Sequence, residues 1–257
     1  MATRTQRIPS AFTRADGRER IAIPFWRGVL FALGSVAIAL LATFVAMVVL
    51  IVAAVLVTGE MPSTTPGHPL LAVSEVLFYA VAGFLAWFGL RTKEIPAFRK
   101  MTRGDVRVIL IGVGALFAIR IGMAIQLVIT NQTKHVQAGF EHFDVTSTVP
   151  GITGVSVAIA VLSLVIVAPI VEEILFRGLL FGALAPRLGV LGSALITALL
   201  FGAIHGDPVL FPTLAALGFV TALAYAATGN LWTAITLHAL NNSLGAIFLV
   251  ATSLTKH

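Results

Sequence analysis

The chain contains no cysteine, which excludes disulfides, thiolate metal ligands and a cysteine nucleophile. Charged residues are also scarce, at 11% of the 257 residues against about 25% in a soluble domain. Hydrophobic residues reach 58%, and the mean hydropathy is +0.99. The apolar runs are continuous rather than alternating, which excludes the strands of a membrane barrel. The sequence therefore predicts an all-α integral membrane protein, a polytopic bundle of helices.

Seven apolar runs approach or exceed the length that a helix needs to cross a bilayer, which is about 20 residues. These predicted spans are 25–57, 70–90, 108–129, 155–184, 190–205, 209–228 and 231–250. We divide the chain into a basic tail (1–24), a three-helix membrane region with loops (25–154) and a core that carries the polar motifs (155–257). No internal repeat and no soluble domain is evident.

Lysine and arginine are distributed unevenly between the two sides of the predicted bundle. One side receives six in residues 1–27, six in residues 91–107 and Arg187, whereas the other receives Lys134 and Lys256. Because basic residues favour the cytoplasmic side, we predict a cytoplasmic amino terminus in the plasma membrane and an outer carboxyl terminus. The net charge of +6 therefore reflects contact with the lipid bilayer, and nucleic acid is not an expected partner.

Three charged residues, Glu172, Glu173 and Arg177, interrupt the fourth predicted span. A charge at the bilayer centre costs about 2.5–3.5 kcal/mol on insertion scales, so such residues face the protein interior and usually mark a site. Residues four apart share a helix face, which predicts that Glu173 and Arg177 pair. Glu172 points about 100° away from Glu173 and is left for another role. Pro169 lies just upstream and is expected to kink the helix.

Two further polar pairs lie in later spans at the same spacing of four residues. Phe201 and His205 share one face, and His238 and Asn242 share another. One carboxylate and two imidazoles from three helices can converge on a water molecule, and the carboxylate can take its proton. An amide and an imidazole N–H can stabilise the oxyanion that follows. This set of groups fits hydrolysis of an amide in a membrane-associated peptide or protein.

The sequence lacks the signatures of several other protease classes. The sequence has no His-Glu-x-x-His helix, no Asp in the middle of a span and no Gly-x-Ser-Gly. A zinc site made of Glu172, His205 and His238, with water in the fourth position, stays open. We favour a glutamate-activated water without a metal or cofactor, because Asn242 is a poor zinc ligand. A non-enzymatic transporter, scaffold or immunity-like protein also stays open, since intramembrane carboxylates and histidines suit proton relays.

The three motifs together resemble those of the CPBP family, the CAAX proteases and bacteriocin-processing enzymes also called the Abi family. They are Glu-Glu-x-x-x-Arg at 172–177, Phe-x-x-x-His at 201–205 and His-x-x-x-Asn at 238–242, in the family's order. The resemblance covers roughly residues 155–250 and implies an intramembrane endopeptidase whose cavity is reached from the cytoplasmic side. The family is pictured with eight spans, one more than the seven counted here.

The resemblance also implies roles for the motif residues. It assigns activation of the water to Glu172 with His205, and the oxyanion to His238 with Asn242. Three further side chains are expected to support the site: Glu173, Arg177 and Phe201.

Two charges outside the motifs are predicted to pair with each other. Glu75 lies in the second span and Arg120 in the third, both in the outer half if consecutive helices run antiparallel. Each charge is costly alone in lipid, so a structural ion pair, direct or through water, is expected. The alternative is that Arg120 turns toward the cavity to meet substrate.

The depth of His238 is inconsistent with that of the other motif residues. It lies about 10 Å beyond Leu231, whereas Glu172 and His205 lie roughly 20 Å and 23 Å from the same side. The difference is about two helical turns. Either the turn at 229–230 is sunk below the surface or the seventh helix is tilted.

Overall fold

The computed structural model describes residues 24–61, 69–90, 98–129, 158–159 and 161–255. The regular elements in these ranges are all helical: α1 (Phe25–Thr58), α2 (Pro69–Leu90), α3 (Arg103–Ile129), π1 (Ser163–Val167), α4 (Ala168–Glu173), π2 (Ile174–Phe181), α5 (Gly182–Ile204), α6 (Phe211–Thr228) and α7 (Leu231–Thr255). The predicted all-α membrane bundle is confirmed. Residues 1–23 of the basic tail and the polar loop after α3 lie outside the described residues.

Within the described ranges, four helices are long and apolar enough to cross a membrane. They are Phe25–Thr58, Val73–Leu90, Arg103–Ile125 and Phe211–Thr228. The other elements in the described ranges are also helices, but π-helical turns, a bend and polar residues interrupt their apolar runs. The predicted count of seven spans is therefore approximate, while the helical class holds.

A bend at Gly189 divides α5 into a short arm and a long arm. Gly189 has φ 71° and ψ 174°, a backbone conformation that glycine adopts without the steric penalty other residues meet. Pro186 and Arg187 stand exposed just before it. The bend lies where the sequence places the connection between the fourth and fifth spans, so that boundary is confirmed.

Glycines let α5 and α6 approach each other closely. A Cβ atom at Gly202 would stand 2.9 Å from the carbonyl oxygen of Phe211, and one at Gly218 would stand 3.0 Å from Cα of Ala198. In lipid, close packing of this kind is a main source of helix association. The contact holds α5, which carries Phe201, against α6. Helix α3 packs against both α6 and α7.

At the turn 229–230, between α6 and α7, Gly229 is partly buried and Asn230 is buried. Asn230 is 0% exposed. The Arg99 backbone N–H donates to Oδ1 of Asn230 at 3.4 Å, and the Arg99 guanidinium donates to the Thr228 carbonyl at 3.0 Å. The segment before α3 thus covers the turn. Burial of Asn230 favours the sunken turn of the two explanations for the depth of His238, and the depth of the turn in the membrane stays a prediction.

Asp105, near the start of α3, fixes the segment around Arg99 that covers the turn. Its buried carboxylate accepts two hydrogen bonds from the Arg99 guanidinium, at 2.7 and 2.8 Å. The Thr102 backbone N–H and hydroxyl donate at 2.7 and 2.6 Å, and the Thr233 hydroxyl of α7 donates at 3.1 Å. These bonds join the start of α3 to the start of α7, which positions the helix that carries His238.

The absence of cysteine makes the orientation directly measurable. Arg187 and Val209 are both exposed, at opposite ends of the long arm of α5. With a cytoplasmic amino terminus, a membrane-impermeant maleimide added to intact cells should label Val209→Cys, and should label Arg187→Cys only after lysis. The cysteine-free parent is the blank. Labelling of Arg187→Cys alone in intact cells would reverse the predicted orientation, and equal labelling of both would contradict the order of spans.

Candidate active site

The paired glutamates end a short α-helix that is bounded by two π-helical stretches. Glu172 and Glu173 are the last residues of α4, between π1 and π2. π-Helical turns are rare and occur frequently at functional sites, where they shift the direction of side chains relative to an α-helix. Pro169 lies in the first turn of α4, directly after π1, so the predicted irregularity occurs at this junction.

Glu173 and Arg177 form the predicted ion pair. Nη1 of Arg177 lies 3.0 Å from Oε1 of Glu173, and both side chains are 0% exposed. Nη2 of Arg177 donates to the Gly218 carbonyl of α6 at 2.7 Å. The guanidinium carbon lies 5.0 Å from the centre of the Phe201 ring, a cation–π distance. These contacts offset part of the desolvation cost of burying two charges.

His238 of α7 lies between the two carboxylates. Its Nδ1 is 2.8 Å from Oε1 of Glu173, and its Nε2 is 3.8 Å from Oε2 of Glu172. Because the Glu173 carboxylate is paired with Arg177 and only accepts hydrogen bonds, we assign a hydrogen to Nδ1. Nε2 then faces Glu172 across a gap slightly longer than a hydrogen bond.

Glu172 is held on its other oxygen by a residue of α2. The Tyr79 hydroxyl donates to Oε1 of Glu172 at 2.9 Å, which leaves Oε2 toward His238. The Glu172 side chain is 12% exposed and that of Glu173 is 0% exposed. Of the two carboxylates, Glu172 is therefore the one that a water molecule or a substrate can reach.

His205 lies at the end of α5 and is exposed. Its Nδ1 is 2.7 Å from the Phe201 carbonyl, and because a carbonyl only accepts, Nδ1 carries the hydrogen and Nε2 keeps its lone pair. The Phe201 ring centre lies 4.9 Å from the His205 ring and 5.6 Å from the His238 ring. The described contacts of Glu172 go to Tyr79 and His238, and the water predicted to link Glu172 with His205 stays a prediction.

Asn242 of α7 lies at one end of a chain of polar side chains. Its Nδ2 donates to the Leu164 carbonyl of π1 at 2.9 Å. Its Oδ1 accepts from Nδ2 of Asn241 at 3.1 Å, and Oδ1 of Asn241 accepts from Nη2 of Arg120 at 2.8 Å. Asn242 is thus connected to Arg120 of α3 through Asn241.

The predicted direct ion pair between Glu75 and Arg120 is wrong. Both side chains lie in the described part of the chain, and no ion pair forms between them there. Arg120 donates to Asn241 instead, and the Glu75 carboxylate hydrogen-bonds with the Ser163 hydroxyl. The reason is the order of helices: α2 packs against α1 and the glutamate-bearing helix, whereas α3 packs against α6 and α7. Consecutive spans need not be neighbours.

Sequence reasoning missed Tyr79 and Asn241. Tyr79 had a usable signal, because it is one of only two tyrosines and its hydroxyl, inside an apolar span, needs a partner. Asn241 had a weaker one, as a second amide beside the motif residue Asn242. The partner of each, Glu172 for Tyr79 and Arg120 for Asn241, lies on a helix remote in sequence.

The zinc alternative needs Glu172, His205 and His238 to converge on one point. Over the ranges that the structure describes, no group of three or more His, Asp and Glu side chains comes close enough to hold a metal ion. The described geometry therefore does not bring Glu172, His205 and His238 together as a set of three ligands.

Comparison with known proteins identifies the segment that carries the motifs. Residues 154–244 match the family model described as "Type II CAAX prenyl endopeptidase Rce1-like". Over 82 residues the chain is 38% identical to "Putative membrane peptidase YdiL" of Bacillus subtilis (strain 168). The aligned residues make up 32% of this chain. The alignment spans about a third of that relative, at 34% of its length. No solved structure matches. The matched segment holds all three motifs but neither Tyr79 nor Arg120.

Proposed function

We propose that this chain is an intramembrane endopeptidase of the CPBP family, because residues 154–244 match the Rce1-like family model and part of the chain is similar to "Putative membrane peptidase YdiL". Its proposed reaction is hydrolysis of a peptide bond in a membrane-associated protein or peptide. The observation that carries the proposal is the partly accessible carboxylate of Glu172 facing Nε2 of His238 at 3.8 Å. Each side chain is also hydrogen-bonded through its other polar atom, Glu172 to Tyr79 and His238 to Glu173.

Glu172 is the general base in the proposed reaction. A water molecule bound to Glu172 gives a proton to the carboxylate while its oxygen attacks the carbonyl carbon of the scissile bond. The same proton then passes from Glu172 to the leaving nitrogen, so the C–N bond breaks to give a carboxylic acid and an amine. His205, whose Nε2 keeps a lone pair, is the second acceptor proposed for this water.

His238 and Asn242 are the proposed donors to the oxyanion. One amide hydrogen of Asn242 goes to the Leu164 carbonyl, and the other is free for the carbonyl oxygen of the substrate. His238 donates from Nε2 when that nitrogen also carries a proton. Two positive charges, on His238 and Arg177, then lie beside the carboxylates of Glu172 and Glu173. Donors fixed in a water-poor site stabilise a developing negative charge without reorganising.

The proposal is tested by asking the purified protein, reconstituted in liposomes, to cleave defined membrane peptides. Two probes are used: a prenylated peptide with a CAAX-type carboxyl terminus and an unprenylated single-span peptide. We expect mass spectrometry to find new termini from at least one probe. Proton flux is measured in the same liposomes. A protein-dependent proton flux without cleavage of either probe would instead support a transporter.

The absence of a metal from this mechanism is a separate prediction. After treatment with a chelator and complete metal analysis, cleavage should continue at the rate of the untreated protein. The reason is that the carboxylate of Glu172 takes the proton of the water directly. Stoichiometric zinc whose removal stops turnover, and whose return restores it, would replace this mechanism with the zinc one.

A further inference from the structure

We infer that Arg120 and Asn241 are positioning residues that set the direction in which the Asn242 amide donates, an assignment that rests on the proposed function. Neither residue belongs to the three motifs, and Arg120 lies outside the segment that matches the family model. The hydrogen bonds run in series from Arg120 to Asn241, from Asn241 to Asn242, and from Asn242 to the Leu164 carbonyl.

The direction of this series follows from the chemistry of its two ends. A guanidinium only donates, so the amide oxygen of Asn241 must face Arg120 and its NH₂ group must face Asn242. The oxygen of Asn242 then faces Asn241, and its NH₂ group points onward. The Leu164 carbonyl only accepts, so it requires the same orientation from the other side. Both asparagines are thereby held in one of their two amide orientations.

The orientation of Asn242 decides the sign of its contribution to catalysis. In the observed orientation its NH₂ group has a second hydrogen that can be given to the carbonyl oxygen of the substrate. In the flipped orientation an oxygen lone pair would take that place and would repel a developing oxyanion. The positive charge of Arg120 also polarises the bonds that follow it, which makes each amide a stronger donor.

A purely structural role would predict a different partner for Arg120. The charge is half-buried in a membrane helix, and within the described residues it has no carboxylate in ion-pair contact. A buried guanidinium is stabilised most by an anion, and Glu75 is the carboxylate that sequence spacing offered. Arg120 instead donates to the neutral amide of Asn241, and this hydrogen bond fixes the orientation of the Asn241 and Asn242 amides.

The test compares four variants in the cleavage assay of the reconstituted protein. Asn242→Ala removes the proposed oxyanion donor and is the reference for the other variants. It should lower kcat by about 10²–10³ with little change in KM. Asn241→Asp still binds Arg120, as an ion pair, but its carboxylate has no hydrogen for Asn242. We expect a fall in kcat of the same order, again with KM within about threefold. Arg120→Met should lower kcat less than Asn242→Ala, and Arg120→Lys, which still donates, should restore most of it.

The outcomes separate this inference from the proposed function. Wild-type kcat in both Asn241→Asp and Arg120→Met, alongside a slow Asn242→Ala, would overturn the inference and leave the endopeptidase intact. Wild-type kcat in Asn242→Ala would also overturn it, because Asn242 would not be a donor. A change confined to KM would make Arg120 a substrate contact instead. No cleavage by the wild-type protein would be a failure of the proposed function itself. If Asn241→Asp does not fold, the Met and Lys variants at Arg120 decide the question.

Discussion

Glu172→Gln is expected to lower peptide hydrolysis by about 10²–10⁴, to near background, while leaving the protein folded in the membrane. The amide keeps the shape of the side chain, and its oxygen can still accept the hydrogen bond from Tyr79. The amide cannot take a proton from water at neutral pH. The variant therefore loses the general base but keeps the fold. The measurements are kcat with the cleaved probe and the melting temperature in detergent.

Glu75→Gln is the matched control for this variant. It makes the same chemical change in a carboxylate of a membrane helix, but Glu75 contacts Ser163 rather than the motif residues. We expect kcat for Glu75→Gln to stay within about twofold of wild type. Wild-type turnover by purified Glu172→Gln would rule out Glu172 as the base, and equal losses in both variants would point to a general effect of removing membrane carboxylates.

Arg177→Met is expected to destabilise the bundle by about 3–5 kcal/mol, which is the cost of leaving a buried carboxylate without its partner. Glu173 and Arg177 are both fully buried, so solvent cannot replace the lost contact. Glu173 also accepts from Nδ1 of His238, so the damage extends to the orientation of that imidazole. The free energy of unfolding is measured by denaturant titration in mild detergent.

A double-mutant cycle that combines Arg177→Met with Glu173→Gln measures the coupling energy of the Glu173–Arg177 ion pair. The double variant should be destabilised by less than the sum of the two single variants, because removal of both charges leaves no uncompensated ion. Arg107→Met, which removes an exposed arginine, is the control and should change stability by no more than about 0.5 kcal/mol. Additive effects of the two single variants would contradict a coupled buried pair.

Sequence alone was sufficient for residues that lie four apart on one helix. The pairing of Glu173 with Arg177 and the contact between the Phe201 and His205 rings follow from a spacing of four residues, because the helix places such residues on one face whatever surrounds it. The helical class follows from the continuous apolar runs, since a lipid-exposed backbone must satisfy its own hydrogen bonds. The bend at Gly189 was likewise readable as a break in an apolar pattern.

Only the tertiary structure decided which helices meet and how each is rotated about its axis. Sequence spacing paired Glu75 with Arg120, but α3 packs against α6 and α7, so Arg120 reaches Asn241. The same packing brings His238, rather than His205, to the side of Glu172. Neighbours in a bundle are chosen by the fit of whole helix faces, such as the glycine contacts between α5 and α6, and that fit sums many weak contacts remote in sequence.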